Sequence, residues 1–212
     1  MSAARAGFAG RIGRAERSTA ETTVRVRVDV DGSGQAEVAT GIGFLDHLLT
    51  LLARHALLDL EVRASGDTEV DLHHTVEDTG LVIGRALDQA LGERRAIRRY
   101  GDVRLPMDEA IAWCAIDLGG RFVADIEPRP DPLTGTDPWL ELWPHFCETL
   151  AREGRLTVHL EVRKARSVHH LVEGGVKAFA RALREAAEPD PRLVDAGASG
   201  DAAVPSSKGT MR

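Results

Sequence analysis

The sequence predicts an α/β protein built by internal duplication. Stretches with period-two alternation sit beside stretches with helical periodicity, and both kinds recur in the same order in each half. Each half also carries the same histidine-rich motif, HHxxE.

In the first half, Val24, Val26, Val28 and Val30 fall on one side of an extended chain, with Arg25, Arg27 and Asp29 on the other. That is the pattern of a half-buried strand. Asp31-Gly32-Ser33-Gly34 is turn chemistry, and residues 35–40 are expected to return as the second strand of a hairpin. Asp29-Val30-Asp31-Gly32-Ser33 also resembles the nucleophile motif of haloacid-dehalogenase phosphatases, but it lies at a strand-to-turn junction with no room for that fold. Gly41 and Gly43 then break the pattern. Phe44, Leu45, Leu48, Leu49 and Leu52 give one apolar face to a helix over residues 44–55. Leu58, Leu60 and Val62 mark a strand ending near Gly66, and Val76, Ile83, Leu87, Ala90 and Leu91 mark a helix over residues 73–91.

In the second half, strands are expected at residues 98–105, 110–117 and 121–127, followed by a Pro- and Asp-rich loop at 128–138. A helix at 139–152 precedes an alternating strand through Leu156, Val158, Leu160 and Val162. A last helix at 168–187 is stopped by Pro189 and Pro191. The expected organisation is a disordered leader at 1–10, half-repeats at 11–96 and 97–192, and a flexible tail at 193–212.

The 212 residues suffice for a substantial core, and 43% hydrophobic with 28% charged residues is ordinary for a soluble domain. No apolar run is long enough to span a bilayer, and the first residues lack a signal segment, so no membrane role is expected. A net charge of −6 without a basic stripe argues against nucleic acid as a partner. Two cysteines, Cys114 and Cys147, without CxxC spacing exclude a disulfide framework and a zinc ribbon, and fit a reducing cytoplasm.

The histidines carry the chemistry. His73-His74-Thr75-Val76-Glu77 and His169-His170-Leu171-Val172-Glu173 are the two HHxxE copies, each preceded on the upstream helix by another histidine, His47 or His145. A single histidine pair is an ordinary surface feature; a duplicated set of three imidazoles and one carboxylate is a metal-ligand set. Residues i and i+4 share a helix face, so His73 with Glu77, and His169 with Glu173, can hold one ion each. Adjacent residues point about 100° apart, which suits two metals or two subunits better than one ion. Such donors suit Mn, Fe, Zn or Ni. His159 is expected on the polar side of its strand. His55 ends a helix, where the dipole favours a cation.

Gly41-Ile42-Gly43-Phe44-Leu45-Asp46-His47, Asp71-Leu72-His73-His74-Thr75-Val76-Glu77-Asp78 and His169-His170-Leu171-Val172-Glu173 resemble the imidazoleglycerol-phosphate dehydratase family of histidine biosynthesis. Pro106-Met107-Asp108-Glu109-Ala110, Asp117-Leu118-Gly119-Gly120-Arg121 and Pro205-Ser206-Ser207-Lys208-Gly209 fit the same pattern. The resemblance implies an α+β two-layer sandwich with duplicated halves like the second domain of ribosomal protein S5. Each half would be a mostly antiparallel four-stranded sheet with two helices. It implies two Mn ions per active site and a 24-subunit homo-oligomeric shell with sites between subunits. By position, one ion would be held by His47, His74, His169 and Glu173, and the other by His73, Glu77, His145 and His170.

The implied reaction is that of a cytoplasmic hydro-lyase, which removes water from imidazole glycerol phosphate through a metal-bound imidazolate, with Glu21 as acid/base. Arg99, Arg121, Lys177, Ser206, Ser207 and Lys208 match the phosphate-binding positions, and His55 joins the substrate-binding set. Lys177 follows Glu173 by four residues and so shares its helix face. Thr50, Leu51, Ser167 and Val176 depart from the usual residues of the family without removing a ligand. Two other classes fit the bare histidine pattern: a dinuclear metallohydrolase of a phosphorylated small molecule, and a non-enzymatic, metal-assembled shell.

Overall fold

The structure is a computed structural model that describes residues 10–128, 137–197, 204–207, 209 and 211. It contains two four-stranded sheets of identical topology. The first has the order β1 (Ile12–Ser18), β2 (Thr22–Asp29), β4 (Asp59–Gly66), β3 (Ala36–Ala39). The second repeats it with β5 (Tyr100–Met107), β6 (Ala110–Asp117), β8 (Thr157–Lys164) and β7 (Val123–Pro128). Within each sheet two pairings are antiparallel, and the last edge strand runs parallel to its neighbour. The mostly antiparallel, duplicated α+β architecture expected from the resemblance is therefore present.

The valine alternation in β2 buries Val24, Val26 and Val28 against the helices and turns Arg25 to solvent, with Arg27 half-exposed. The expected hairpin from β2 into residues 35–40 does not form. β1 already occupies one edge of β2, and β4 takes the other. The Asp59 carboxylate accepts the backbone N–H groups of Ser33 (2.8 Å) and Gln35 (2.9 Å), tying the Asp-Gly-Ser-Gly loop to the start of β4. The chain therefore crosses over, and β3 lies parallel to β4 at the edge. Burial opposes the Asp59 charge, but those backbone hydrogen bonds prevail and lower its pKa. β1 itself carries no sequence signal: in Ile-Gly-Arg-Ala-Glu-Arg-Ser only Gly13 is buried, as befits a polar edge strand.

Four helices fill the space between the sheets: α1 (Gly43–Ala56), α2 (His73–Leu91), α3 (Trp139–Gly154) and α4 (Val168–Ala187). The α2 and α4 ranges match the spacing prediction. Ser167 caps α4, its hydroxyl accepting the His170 N–H at 3.1 Å. β1 and β5 approach their helices through glycine: a Cβ on Gly13 would lie 1.8 Å from the Ala86 carbonyl oxygen, and one on Gly101 would lie 2.1 Å from that of Ala182. Helices pack across the halves, α1 on α4 and α2 on α3, with Leu52, Ile83, Leu87, Leu150, Phe179 and Leu183 meeting between the sheets. Phe44 touches both Trp139 (4.8 Å between ring centroids) and His169 (5.3 Å), whereas Arg155, just past α3, pairs with Asp88 near the end of α2. The four helices thus begin at one end of the molecule.

A short helix, α5 (Pro191–Gly197), occupies the start of the segment expected as a flexible tail. Farther on, Arg99 donates to the Pro205 carbonyl at 2.7 Å and Met211 is buried, so the described part of the tail is docked rather than free. The leader expectation for residues 1–9 and most of the Pro/Asp loop fall outside the described residues. Among the described residues no helix is long and apolar enough to cross a membrane.

Candidate functional site

Each seam between the halves carries one imidazole–carboxylate cluster near the helix starts. On the α1–α4 seam, His47 Nε2 lies 3.0 Å and His169 Nε2 lies 2.9 Å from the same oxygen, Glu173 Oε2. Lys177, one turn farther along α4, donates to Glu173 Oε1 at 2.5 Å. Burial resists charging Glu173, but the hydrogen bonds from Lys177 and His47 prevail and push its pKa down to about 2. On the α2–α3 seam, His145 Nε2 lies 3.2 Å from Glu77 Oε1, and His73 Nε2 lies 3.9 Å from Glu77 Oε2. The His73 and His145 rings stack at 4.8 Å.

The donor atoms of each trio lie within 4.8 Å of one another. The duplication relates α1 to α3 and α2 to α4, so each cluster is the image of the other. The trios fit a divalent cation by their chemistry, two ring nitrogens with one carboxylate oxygen. A second observation agrees: His145 Nε2 is buried and, although 3.2 Å from Glu77 Oε1, makes no well-directed hydrogen bond among the described residues, which is costly for a ring nitrogen unless a ligand satisfies it.

A single chain supplies three of the four ligands expected for each ion. His74 does not reach the His47 cluster; its Nδ1 faces Asp67 Oδ2 at 3.2 Å and Glu21 Oε2 at 3.7 Å. The hydrogen bond to Asp67, opposed by partial burial and aided by the charge of Glu21, raises the His74 pKa. His170 likewise turns Nδ1 to Glu109 Oε2 at 2.9 Å and does not join the His145 cluster. Glu109 also accepts the Arg166 N–H at 2.9 Å, and these two contacts bring its pKa down to about 2. With Nδ1 engaged by a carboxylate, the nitrogen left to each ring for a metal is Nε2.

Glu21 stands in the β1–β2 connection beside His74, and its side chain is 57% exposed. The expected phosphate-binding residues divide between the two ends of the molecule. Lys177 sits at the cluster end. Arg99 pairs with Asp117 (2.7 and 3.1 Å), Arg121 lies 3.7 Å from the same carboxylate, and Ser206 and Ser207 follow the Pro205 carbonyl that Arg99 holds. The Arg99 N–H bonds to the Ala186 carbonyl, seventeen residues beyond His169 on α4. At 1.5 Å per residue that is about 25 Å from the cluster end. Lys208 lies outside the described residues.

His55 corrects the helix-dipole expectation. Burial first, then the nearby charges of Lys177 and Arg181, lowers its pKa and favours the neutral ring. His159 is exposed and pairs with Asp125 at 3.2 Å, as its strand position predicted. Sequence reasoning missed Asp67, Glu109 and the role of Asp117. For Glu109 a signal was available: it precedes β6 as Glu21 precedes β2.

Fold and clusters together define a class: an α+β enzyme made by duplication, with a nitrogen- and carboxylate-rich centre on each seam between its halves. The particular family follows from comparison with known proteins. The family model described as imidazoleglycerol-phosphate dehydratase matches residues 40–183. The chain is 54% identical over 178 residues to the imidazoleglycerol-phosphate dehydratase of Rubrobacter xylanophilus, covering 83% of this chain and 91% of the relative. It is 48% identical over 197 residues to that of Granulibacter bethesdensis, covering 92% and 96%. The crystal structure of the Staphylococcus aureus enzyme superposes with a TM-score of 0.73 at 32% identity, covering 84% of this chain and 99% of that one. The Pyrococcus furiosus structure gives 0.74 at 28% identity, covering 92% and 99%. The chain belongs to the imidazoleglycerol-phosphate dehydratase family, hydro-lyases of histidine biosynthesis.

Proposed function

We propose that the protein converts imidazole glycerol phosphate to imidazole acetol phosphate with two Mn ions per active site, in a 24-subunit shell whose sites lie between subunits. One observation carries the reading: each chain gathers three donors per cluster and holds the fourth imidazole away from it, with Nδ1 on a carboxylate. His47, His169 and Glu173 would share one ion with His74 of the partner subunit; His73, Glu77 and His145 would share the other with His170 of the partner subunit. The roughly 25 Å between Arg99 and the cluster end supports the same conclusion, since one chain cannot bring both to a small substrate.

Bound Mn would supply positive charge that orients the imidazole ring and stabilises electron density developing beside it. Glu21, exposed next to His74, takes the proton from the unactivated C–H and delivers it to the departing hydroxyl, which leaves as water; the C–H electron pair forms the enol double bond, and the enol then tautomerises to the ketone. Lys177, Arg99, Arg121, Ser206, Ser207 and Lys208 hold the phosphate; guanidinium forks bind its oxygens in pairs and lysine adds a point charge. Asp117 fixes the plane of the Arg99 fork. Cytoplasmic residence belongs to the same proposal, supported by two buried free thiols.

The test is incubation with imidazole glycerol phosphate. Formation of an ultraviolet-absorbing enol-ketone is expected, and Glu21→Gln should lower turnover by about 100-fold or more while Mn content stays unchanged. Release of free phosphate instead of ketone, or full turnover by the variant, would overturn the reading.

A further inference from the structure

The duplication places Glu21 and Glu109 at the same position. Each directly precedes an interior strand of its sheet, Glu21 before Thr22 of β2 and Glu109 before Ala110 of β6. The histidines they face, His74 and His170, are likewise equivalent, each the second histidine of its HHxxE copy. Yet the contacts differ. Glu109 engages His170 Nδ1 with both oxygens, at 2.9 and 3.1 Å, and its side chain is 24% exposed. Glu21 stands 3.7 Å from His74 Nδ1 and is more than twice as exposed.

The difference has a visible cause. In the first half the β4–α2 connection supplies Asp67, whose two oxygens lie 3.2 and 3.4 Å from His74 Nδ1. The residue just past the equivalent strand β8 is Ala165, which has no carboxylate to offer. His170 therefore depends on Glu109, whereas His74 has Asp67 and leaves Glu21 uncommitted.

We propose that Asp67 and Glu109 are positioning residues that present Nε2 of His74 and His170 to metal, and that Asp67 relieves Glu21 of this task so that only one of the two equivalent glutamates is free to move protons. A carboxylate on the distal ring nitrogen fixes the tautomer, orients the ring and raises its basicity as a ligand; losing such a partner typically weakens metal binding about 10- to 100-fold. The proposal rests on the metal-dependent reading above and goes beyond it by explaining why duplicated glutamates serve different ends.

The experiment titrates Mn2+ calorimetrically into chelator-stripped full-length protein, beside the melting temperature of each metal-free variant. Asp67→Ala and Glu109→Ala should weaken Mn2+ binding about 10- to 100-fold with little change in metal-free melting. Asp67→Asn and Glu109→Gln keep an acceptor for the ring N–H and should recover most of the loss. Glu21→Ala should bind Mn2+ within about twofold of wild type, since it is not the ring's main partner. A Mn2+ affinity unchanged in both alanine variants overturns the inference. So does a loss that tracks a matching drop in metal-free melting and is not rescued by Asn or Gln. Equal losses in Glu21→Ala and Glu109→Ala overturn the division of labour. A wild type that binds no Mn2+ overturns the metal-dependent reading itself; wild-type binding with unaffected variants overturns this inference alone.

Discussion

Replacing Arg94 with methionine tests how the helical layer is closed at the end opposite the clusters. The Arg94 side chain is 1% exposed. Its Nη2 pairs with Asp88 at 2.6 Å and donates to the Gly154 carbonyl at 2.7 Å. Its Nη1 donates to the carbonyls of Arg155 at 3.0 Å and Leu118 at 3.4 Å. One guanidinium therefore joins the end of α2 to the end of α3 and to the segment after β6. Methionine keeps the apolar stem and removes every one of these contacts. Asp88 retains Arg155 at 2.7 Å, which softens the loss of its partner, but the buried carbonyls are left with fewer donors. The cost is about 3–5 kcal/mol. At about 2–4 °C per kcal/mol for a chain of this size, melting should fall by roughly 10 °C. The assay is calorimetry on chelator-stripped protein, with Arg155→Met as reference. Arg155 is 35% exposed and should cost only about 1 kcal/mol. An Arg94→Met melting temperature within about 2 °C of wild type, or equal to that of Arg155→Met, would refute the reasoning.

Other outcomes follow from the same geometry. Gly101→Ala should destabilise by about 1–3 kcal/mol, because its Cβ would lie 2.1 Å from the Ala182 carbonyl oxygen and lift β5 off α4; urea unfolding measures it. Asp59→Ala should lower the urea midpoint at pH 7. Because the Asp59 pKa is depressed in the folded state, its contribution is present above the ordinary carboxylate pKa and lost as pH falls through the lower folded value. The gap between variant and wild type should therefore narrow as pH falls below the ordinary carboxylate range. If ligands from separate copies hold each ion, as proposed, chelation should shrink the particle seen by light scattering; an unchanged size would count against shared sites.

The features legible in the sequence are those set by local periodicity. α2 and α4 could be read to their first and last residues because the apolar spacing, the HHxxE motifs and Pro189 mark them without reference to the rest of the chain. The cluster trios were also legible, since i, i+4 geometry pairs His73 with Glu77 and His169 with Glu173. What escaped was set by partners distant in sequence. β1 is a polar edge strand whose identity comes from pairing with β2. The hairpin expectation failed because Asp59, 26 residues after Ser33, anchors the loop. Helix spacing could not show that His74 and His170 turn to Asp67 and Glu109, because those carboxylates lie in connections whose path only the fold defines. Nor could it show that the Arg99 group lies nearly a full helix length from His169.

Diffraction from Mn-soaked crystals, with anomalous data collected at the Mn absorption edge, addresses the ligand assignment most directly. Two peaks per chain are expected, one against His47, His169 and Glu173 and one against His73, Glu77 and His145, each completed by an imidazole from a neighbouring copy. Maps without density at these trios, or ions held entirely by four ligands of a single chain, would contradict it.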